Sequence, residues 1–158
     1  MDGIVMLRED HKTVEDLFKK FEKTHKDATP KAKRALVDNM IKELTTHAFI
    51  EETIFYPAVR EEAPDTTEHV LESVEEHHVV AWLLSELRDL DPGDETFDAK
   101  VTVLIENVRH HVEEEEKEWF PEVRKNLGRN RLVELGEQMT AARSKAPADP
   151  LALSSAKA

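Results

Sequence analysis

The chain repeats itself. His47-Ala-Phe-Ile-Glu51-Glu52-Thr-Ile-Phe55-Tyr56-Pro57 and His111-Val-Glu-Glu-Glu115-Glu116-Lys-Glu-Trp119-Phe120-Pro121 agree in the His, both Glu, the aromatic pair and the Pro, 64 residues apart. Upstream, Asp10-His11-x-x-Val14-x-x-Leu17-Phe18 is matched by Glu76-His77-x-x-Val80-x-x-Leu83-Leu84 at an offset of 66. Whatever unit the first copy builds, the second must build again, and neither unit buries its apolar face alone. Each copy offers one His from a first segment and a His-x-x-x-Glu pair from a second.

Those segments read as helices. Ile4, Leu7, His11, Val14, Phe18 and Phe21 recur at helical spacing, with charged residues between them. Thr29-Pro30 is a helix start, because the hydroxyl accepts a free N–H and Pro loses no bond at the first helical position. From there a second helix is expected to about Glu62, striped by Leu36, Met40, Leu44, His47, Glu51 and Ile54, and kinked or unwound at Pro57. Asp65 and Glu68 fit a capping-box variant opening a third helix through Val70, Val74, Ala81, Leu84 and Leu87. After the turn Asp91-Pro92-Gly93-Asp94, a fourth carries Phe97, Val101, Leu104, Val108, His111 and Glu115 past Pro121 to about Gly128. A shorter segment with Leu132, Leu135 and Met139 follows. The expected fold is all-α, an up-down-up-down four-helix bundle with a short fifth C-terminal helix over residues 1–145. Residues 146–158, rich in Ala, Pro and Ser, are expected to be a disordered tail.

Helix geometry turns the repeat into chemistry. Residues four apart share a face, so one helix presents an imidazole and a carboxylate to the same point. In both copies that pair lies on the apolar stripe, where an uncompensated carboxylate is costly. With no cysteine in the chain, thiolate nucleophiles, disulfides and Cys-based metal sites are excluded, and a metal has to be held by His, Asp or Glu. Imidazole with carboxylate suits iron, manganese or zinc, and two bridging carboxylates suit a pair of ions. The formal net charge of −12 repels phosphate backbones and anionic lipid, so nucleic acid and membrane surfaces are unfavourable partners. No apolar run is long enough to span a bilayer, and Met1–Asp10 lacks a basic start followed by an apolar core; a cytoplasmic protein is expected, with a monomer as the default.

These paired H-x-x-x-E-E…P motifs with two upstream His resemble the hemerythrin-like, HHE-type cation-binding domains over about residues 4 to 128. The resemblance implies a non-haem di-iron centre, two iron ions with an oxo or hydroxo bridge, in a four-helix bundle. It implies His11, His47, His77 and His111 as terminal ligands and Glu51 and Glu115 as bridging carboxylates. The oxygen-carrying hemerythrins have a His-x-x-x-His pair on the third helix. Here the residues four after and four before His77 are Ala81 and Ser73, so by count each iron keeps an open position.

Neighbouring residues divide between the site and blander roles. His110 has polar helical neighbours, whereas His111 lies over Leu104 and Val108. His78 has an apolar setting too, and the repeat selects His77. His25 and His69 read as surface residues near helix ends. Glu52 and Glu116 recur in the repeat, which suits a role orienting ligand His rings. Tyr56, beside Pro57, is placed to turn its hydroxyl toward the metals, and its bland reading is packing. Glu113, Glu114, Glu116 and Glu118 read as a solvated acidic face. A ferritin-like site needs two Glu-x-x-His pairs, and only Glu75-x-x-His78 fits. The function expected is redox reactivity toward peroxide, nitric oxide or oxygen, with catalase-like decomposition of peroxide favoured, a chemistry of oxidative stress. The alternative is reversible binding or sensing of oxygen or nitric oxide, or iron handling without turnover.

Overall fold

The structure is a computed structural model that describes residues 1–153. Helix α1 spans Gly3–Thr24, with the Asp2 side chain accepting from the Val5 N–H, and α2 spans Pro30–Ile50 behind the Thr29 cap, whose hydroxyl accepts from Ala32. A π-helical turn, Glu51–Phe55, joins α2 to α3, Tyr56–Glu62. Helix α4 covers Thr67–Asp89 and α5 covers Phe97–Glu114; a second π-turn, Glu115–Trp119, leads to α6, Phe120–Leu127. Helix α7, Arg129–Ala142, ends in a 3-10 turn at Arg143–Lys145. The bundle is formed by α1, α2, α4 and α5, each packed on two neighbours, while α7 lies against α1 and α6.

The unwinding expected at Pro57 and Pro121 has a defined form. A proline two places into a helix gives no N–H and crowds the carbonyl four residues back. In both copies the ladder shifts to an i→i−5 bond just before the proline, from Tyr56 N–H to the Glu51 carbonyl and from Phe120 N–H to the Glu115 carbonyl. The predicted second and fourth helices are therefore each divided by one π-turn, and each π-turn begins at the Glu of the repeat. The capping box expected at Asp65 and Glu68 does not form. Pro64–Thr66 is a 3-10 turn whose Thr66 hydroxyl bonds the Ala63 carbonyl, and α4 starts without a side-chain cap.

Two apolar layers fill the bundle. One gathers Leu7, Ile50, Phe55, Trp119 and Phe120 with the α7 residues Leu132, Leu135 and Met139; the other gathers Val14, Phe18, Phe21, Leu44, Leu84, Leu104 and Val108. The His and Glu residues of the repeat lie between them, one turn from each layer along every helix. Part of the segment expected to be a disordered tail is packed: Pro150 is buried, Leu153 is half-buried, and Asp149 pairs with Arg88 of α4 at 3.4 Å. The rest of that segment, 154–158, lies outside the described residues.

Helix α7 approaches the start of α1 at Gly136. A Cβ there would run into the backbone of Met1, Asp2 and Gly3, none of which is a movable side-chain end. Gly136→Ala is expected to cost about 1–3 kcal/mol by forcing α7 away from α1, read as a lower midpoint in urea or heat denaturation; an unchanged midpoint would contradict this packing.

Candidate metal centre

Four histidines, one from each bundle helix, meet two glutamates in the polar layer. His11, His47, His77 and His111 are buried, and Glu51 and Glu115 have no exposed surface. His47 Nε2 is 2.9 Å and His77 Nε2 3.4 Å from Glu51 Oε1. His111 Nε2 is 2.8 Å from Glu115 Oε1, and His11 Nε2 is 3.2 Å from the other oxygen, Glu115 Oε2. The rings form two edge-on pairs, His11 with His47 at 4.9 Å and His77 with His111 at 5.1 Å between centroids. Each glutamate thus faces one His of each pair. Two overlapping groups, Glu51/His77/His111/Glu115 and His11/His47/Glu115, bring their ligand atoms within the span of a single ion.

All six residues singled out from the sequence converge here. The atoms that converge are also poorly served by the protein itself. Nε2 of His11, His47 and His111, both oxygens of Glu51, and Oε2 of Glu115 are buried without an aligned hydrogen bond. Buried polar atoms left in this state are costly, and a cation among them answers every one. The donor set fits a metal.

The opposite ring nitrogens are each held by a carboxylate. His47 Nδ1 lies 2.9 Å from Asp10 and His111 Nδ1 3.2 Å from Glu76, acids from the first helix of the same hairpin. His11 Nδ1 lies 2.7 Å from Glu116 and His77 Nδ1 2.9 Å from Glu52, acids from the other hairpin. A carboxylate on Nδ1 fixes the ring and presents Nε2 to the centre. Glu52 and Glu116, the acids that recur in the repeat, are two of these four carboxylates. The roles of Asp10 and Glu76 were not drawn from the sequence, although both precede a repeated His and so carried the same signal.

The repeat is broken at one functional position. Tyr56 Oη donates to Glu115 Oε1 at 2.8 Å and lies 3.2 Å from His77 Nε2, whereas its counterpart Phe120 stacks on His11 with centroids 5.9 Å apart. The hydroxyl therefore faces the centre from the His77–His111 half. His110 points outward with its side chain 68% exposed against 9% for His111; His78 is half-buried at the edge of the cavity that the four histidines line and pairs with Glu75 at 3.3 Å, and its ring does not meet Glu51 or Glu115. His69 is not the surface residue expected. It is half-buried and stacks on Trp119 at 4.7 Å, because the first turn of α4 lies beside the π-turn that follows α5 in the same hairpin. His25 likewise lies on Phe21, its Nδ1 on the Phe21 carbonyl.

A cavity of about 50 Å³ opens onto all four histidines, walled by apolar residues including Val14, Leu44, Leu84 and Val108, and on its outer side by Pro150 and Leu153. That is room for a molecule of two or a few atoms.

The sequence profile of the Hemerythrin HHE cation binding domain matches residues 2–123. The chain belongs to this family. It is similar to a Hemerythrin HHE cation binding domain-containing protein from Mycobacterium kansasii, with a TM-score of 0.73, 25% identity, and 92% of this chain and 86% of that one covered. It is also 28% identical over 140 residues to a DNA nickase from Nostoc sp. (strain PCC 7120), covering 89% of this chain. This chain spans only 38% of the length of that relative. Among the described residues no helix is long and apolar enough to cross a membrane.

Without metal, protons take the place of cations in the centre. Burial alone would lower His47, but Glu51 and Asp10 overcome it and hold its pKa at about 10. Burial is overcome in the same way for His111, raised by Glu115, and burial raises Glu115 less than His111 and His11 lower it. A raised imidazole stabilises the fold fully below its unfolded value near 6.5, and that contribution is lost as pH climbs through the folded value. The depressed Glu115 acts in the opposite direction, and its contribution is lost on acidification below about 4.5. Metal-free protein is therefore expected to melt several degrees lower at pH 10 than at pH 6.5, while apparent metal affinity rises over the same interval because loading expels imidazole protons. Melting by circular dichroism and proton release on metal addition check both signs.

Proposed function

We propose that this chain is a non-haem di-iron protein that decomposes peroxide. His11 and His47 would hold one ion and His77 and His111 the other, with Glu51 and Glu115 supplying the carboxylates. The observation that carries this reading is the convergence of orphaned Nε2 and carboxylate atoms in two His pairs sharing two glutamates. Iron supplies two redox-active ions suited to a nitrogen and oxygen donor set. The balanced reaction is two hydrogen peroxide molecules giving two water and one dioxygen, so no external electron donor is needed.

The side chains set the conditions. The apolar cavity admits small uncharged molecules and excludes bulk water from the centre. Burial, with Glu115 and Glu51 adding to it, holds the Tyr56 pKa well above its ordinary value, so the phenol keeps its proton and serves as a hydrogen-bond donor to Glu115 Oε1. The His11–His47 half is faced by the Phe120 ring instead of a hydroxyl. The nicking activity named for the Nostoc relative belongs to a chain more than twice as long, and a net charge of −12 opposes a phosphate backbone here.

Glu51→Ala and Glu115→Ala are expected to lose iron loading and peroxide consumption together, while Tyr56→Phe keeps its iron and loses roughly tenfold in turnover, the worth of one hydrogen bond to a charged group. Peroxide consumption by an iron-free variant would overturn the reading. The deciding experiment is optical titration of reduced, iron-loaded protein with oxygen followed by evacuation. Irreversible passage to a diferric spectrum favours turnover, whereas a coloured adduct that vanishes on evacuation makes this a protein of reversible oxygen binding.

A further inference from the structure

Asp10 is held from outside the duplicated hairpins. Arg143, in the 3-10 turn after α7, places Nη2 at 2.7 and 2.9 Å from the two oxygens of Asp10, and Asp10 Oδ2 in turn lies 2.9 Å from His47 Nδ1. The family match ends at residue 123, twenty residues earlier in the chain. The equivalent acid of the second hairpin, Glu76, has no guanidinium on it: among the described residues its one side-chain hydrogen bond is with His111, at 3.2 Å, and its side chain is 32% exposed against 14% for Asp10. Beyond Arg143 the chain continues over the same face, where Asp149 pairs with Arg88 and Pro150 and Leu153 wall the cavity.

We propose that Arg143 is a positioning residue of the metal centre: it fixes Asp10, and through Asp10 the ring of His47, making the C-terminal segment a part of the site. This inference rests on the reading of the His/Glu cluster as a metal centre. The physical reason is directional. A carboxylate on the free nitrogen of a ligand His controls the ring's orientation only as well as the carboxylate is itself held, and two short charge-assisted bonds to one guanidinium hold both Asp10 oxygens. Because Glu76 lacks the equivalent grip, His47 and His111, equivalent in the repeat, are steadied unequally, with His47 the more firmly held.

The test uses the full chain loaded with cobalt(II), whose visible bands report the ligand field, and times metal release to excess chelator in wild type, Arg143→Gln, Asp10→Asn and the double variant. Circular dichroism first establishes that each is folded. Release is expected to be roughly 10–100-fold faster in Asp10→Asn and about 3–10-fold faster in Arg143→Gln. The double variant should release no faster than Asp10→Asn, because Arg143 acts through Asp10, and the cobalt bands of Arg143→Gln should move in the same direction as those of Asp10→Asn. Release and bands unchanged by Arg143→Gln, or an equal acceleration in both backgrounds, overturn the proposal. If the Gln variant does not fold, Arg143→Leu carries the same comparison. A wild type that takes up no cobalt would instead sink the metal-centre reading itself.

Discussion

Everything in this molecule is arranged around two carboxylates that have no contact with water. Glu51 and Glu115 sit at the middle of a helical bundle, where an isolated negative charge would cost several kcal/mol even after local relaxation. Four imidazoles aimed at them offset that cost, by protons when the site holds no metal. The bundle geometry follows from the need to bring one imidazole from each of four helices to one level, and the apolar layers above and below keep that level dry.

The π-turns connect backbone to site. A proline six residues after each Glu forces the ladder to widen, and in both hairpins the widened turn starts at the Glu itself. The turn that begins at Glu51 also carries Glu52, buried beside it and bonded to His77, so one local distortion delivers a carboxylate to the centre and another to the back of a ligand ring. The acids around the rings form a two-fold pattern: each hairpin steadies its own second His with the acid before its first His, and steadies the other hairpin's first His with the acid after its Glu. Neither hairpin could complete its half of the site alone.

Departures from that two-fold pattern are where the chain becomes particular. Tyr56 against Phe120 gives one half a hydroxyl and the other a ring face. Arg143 grips Asp10 and no cation grips Glu76 among the described residues. A symmetric scaffold thereby builds a centre of two unequal halves.

The helices, their count and their apolar stripes were legible in the sequence, because a 3.6-residue period and paired turn signals are local properties. So was the set of six convergent residues, since His and Glu four apart on an apolar stripe and repeated at a constant offset have few physical explanations. The choice of His111 over His110 followed from neighbours within one or two turns, whereas His77 over His78 followed from the repeat alone. What the sequence could not supply were facts about distance across the fold. The stacking of His69 on Trp119, the bonding of Asp10 and Glu76 to rings on other helices, the reach of Arg143 to Asp10, and the packing of Pro150 and Leu153 over the cavity each join residues far apart in the chain. They depend on which helix lies beside which, and at what height, and only tertiary packing decides that.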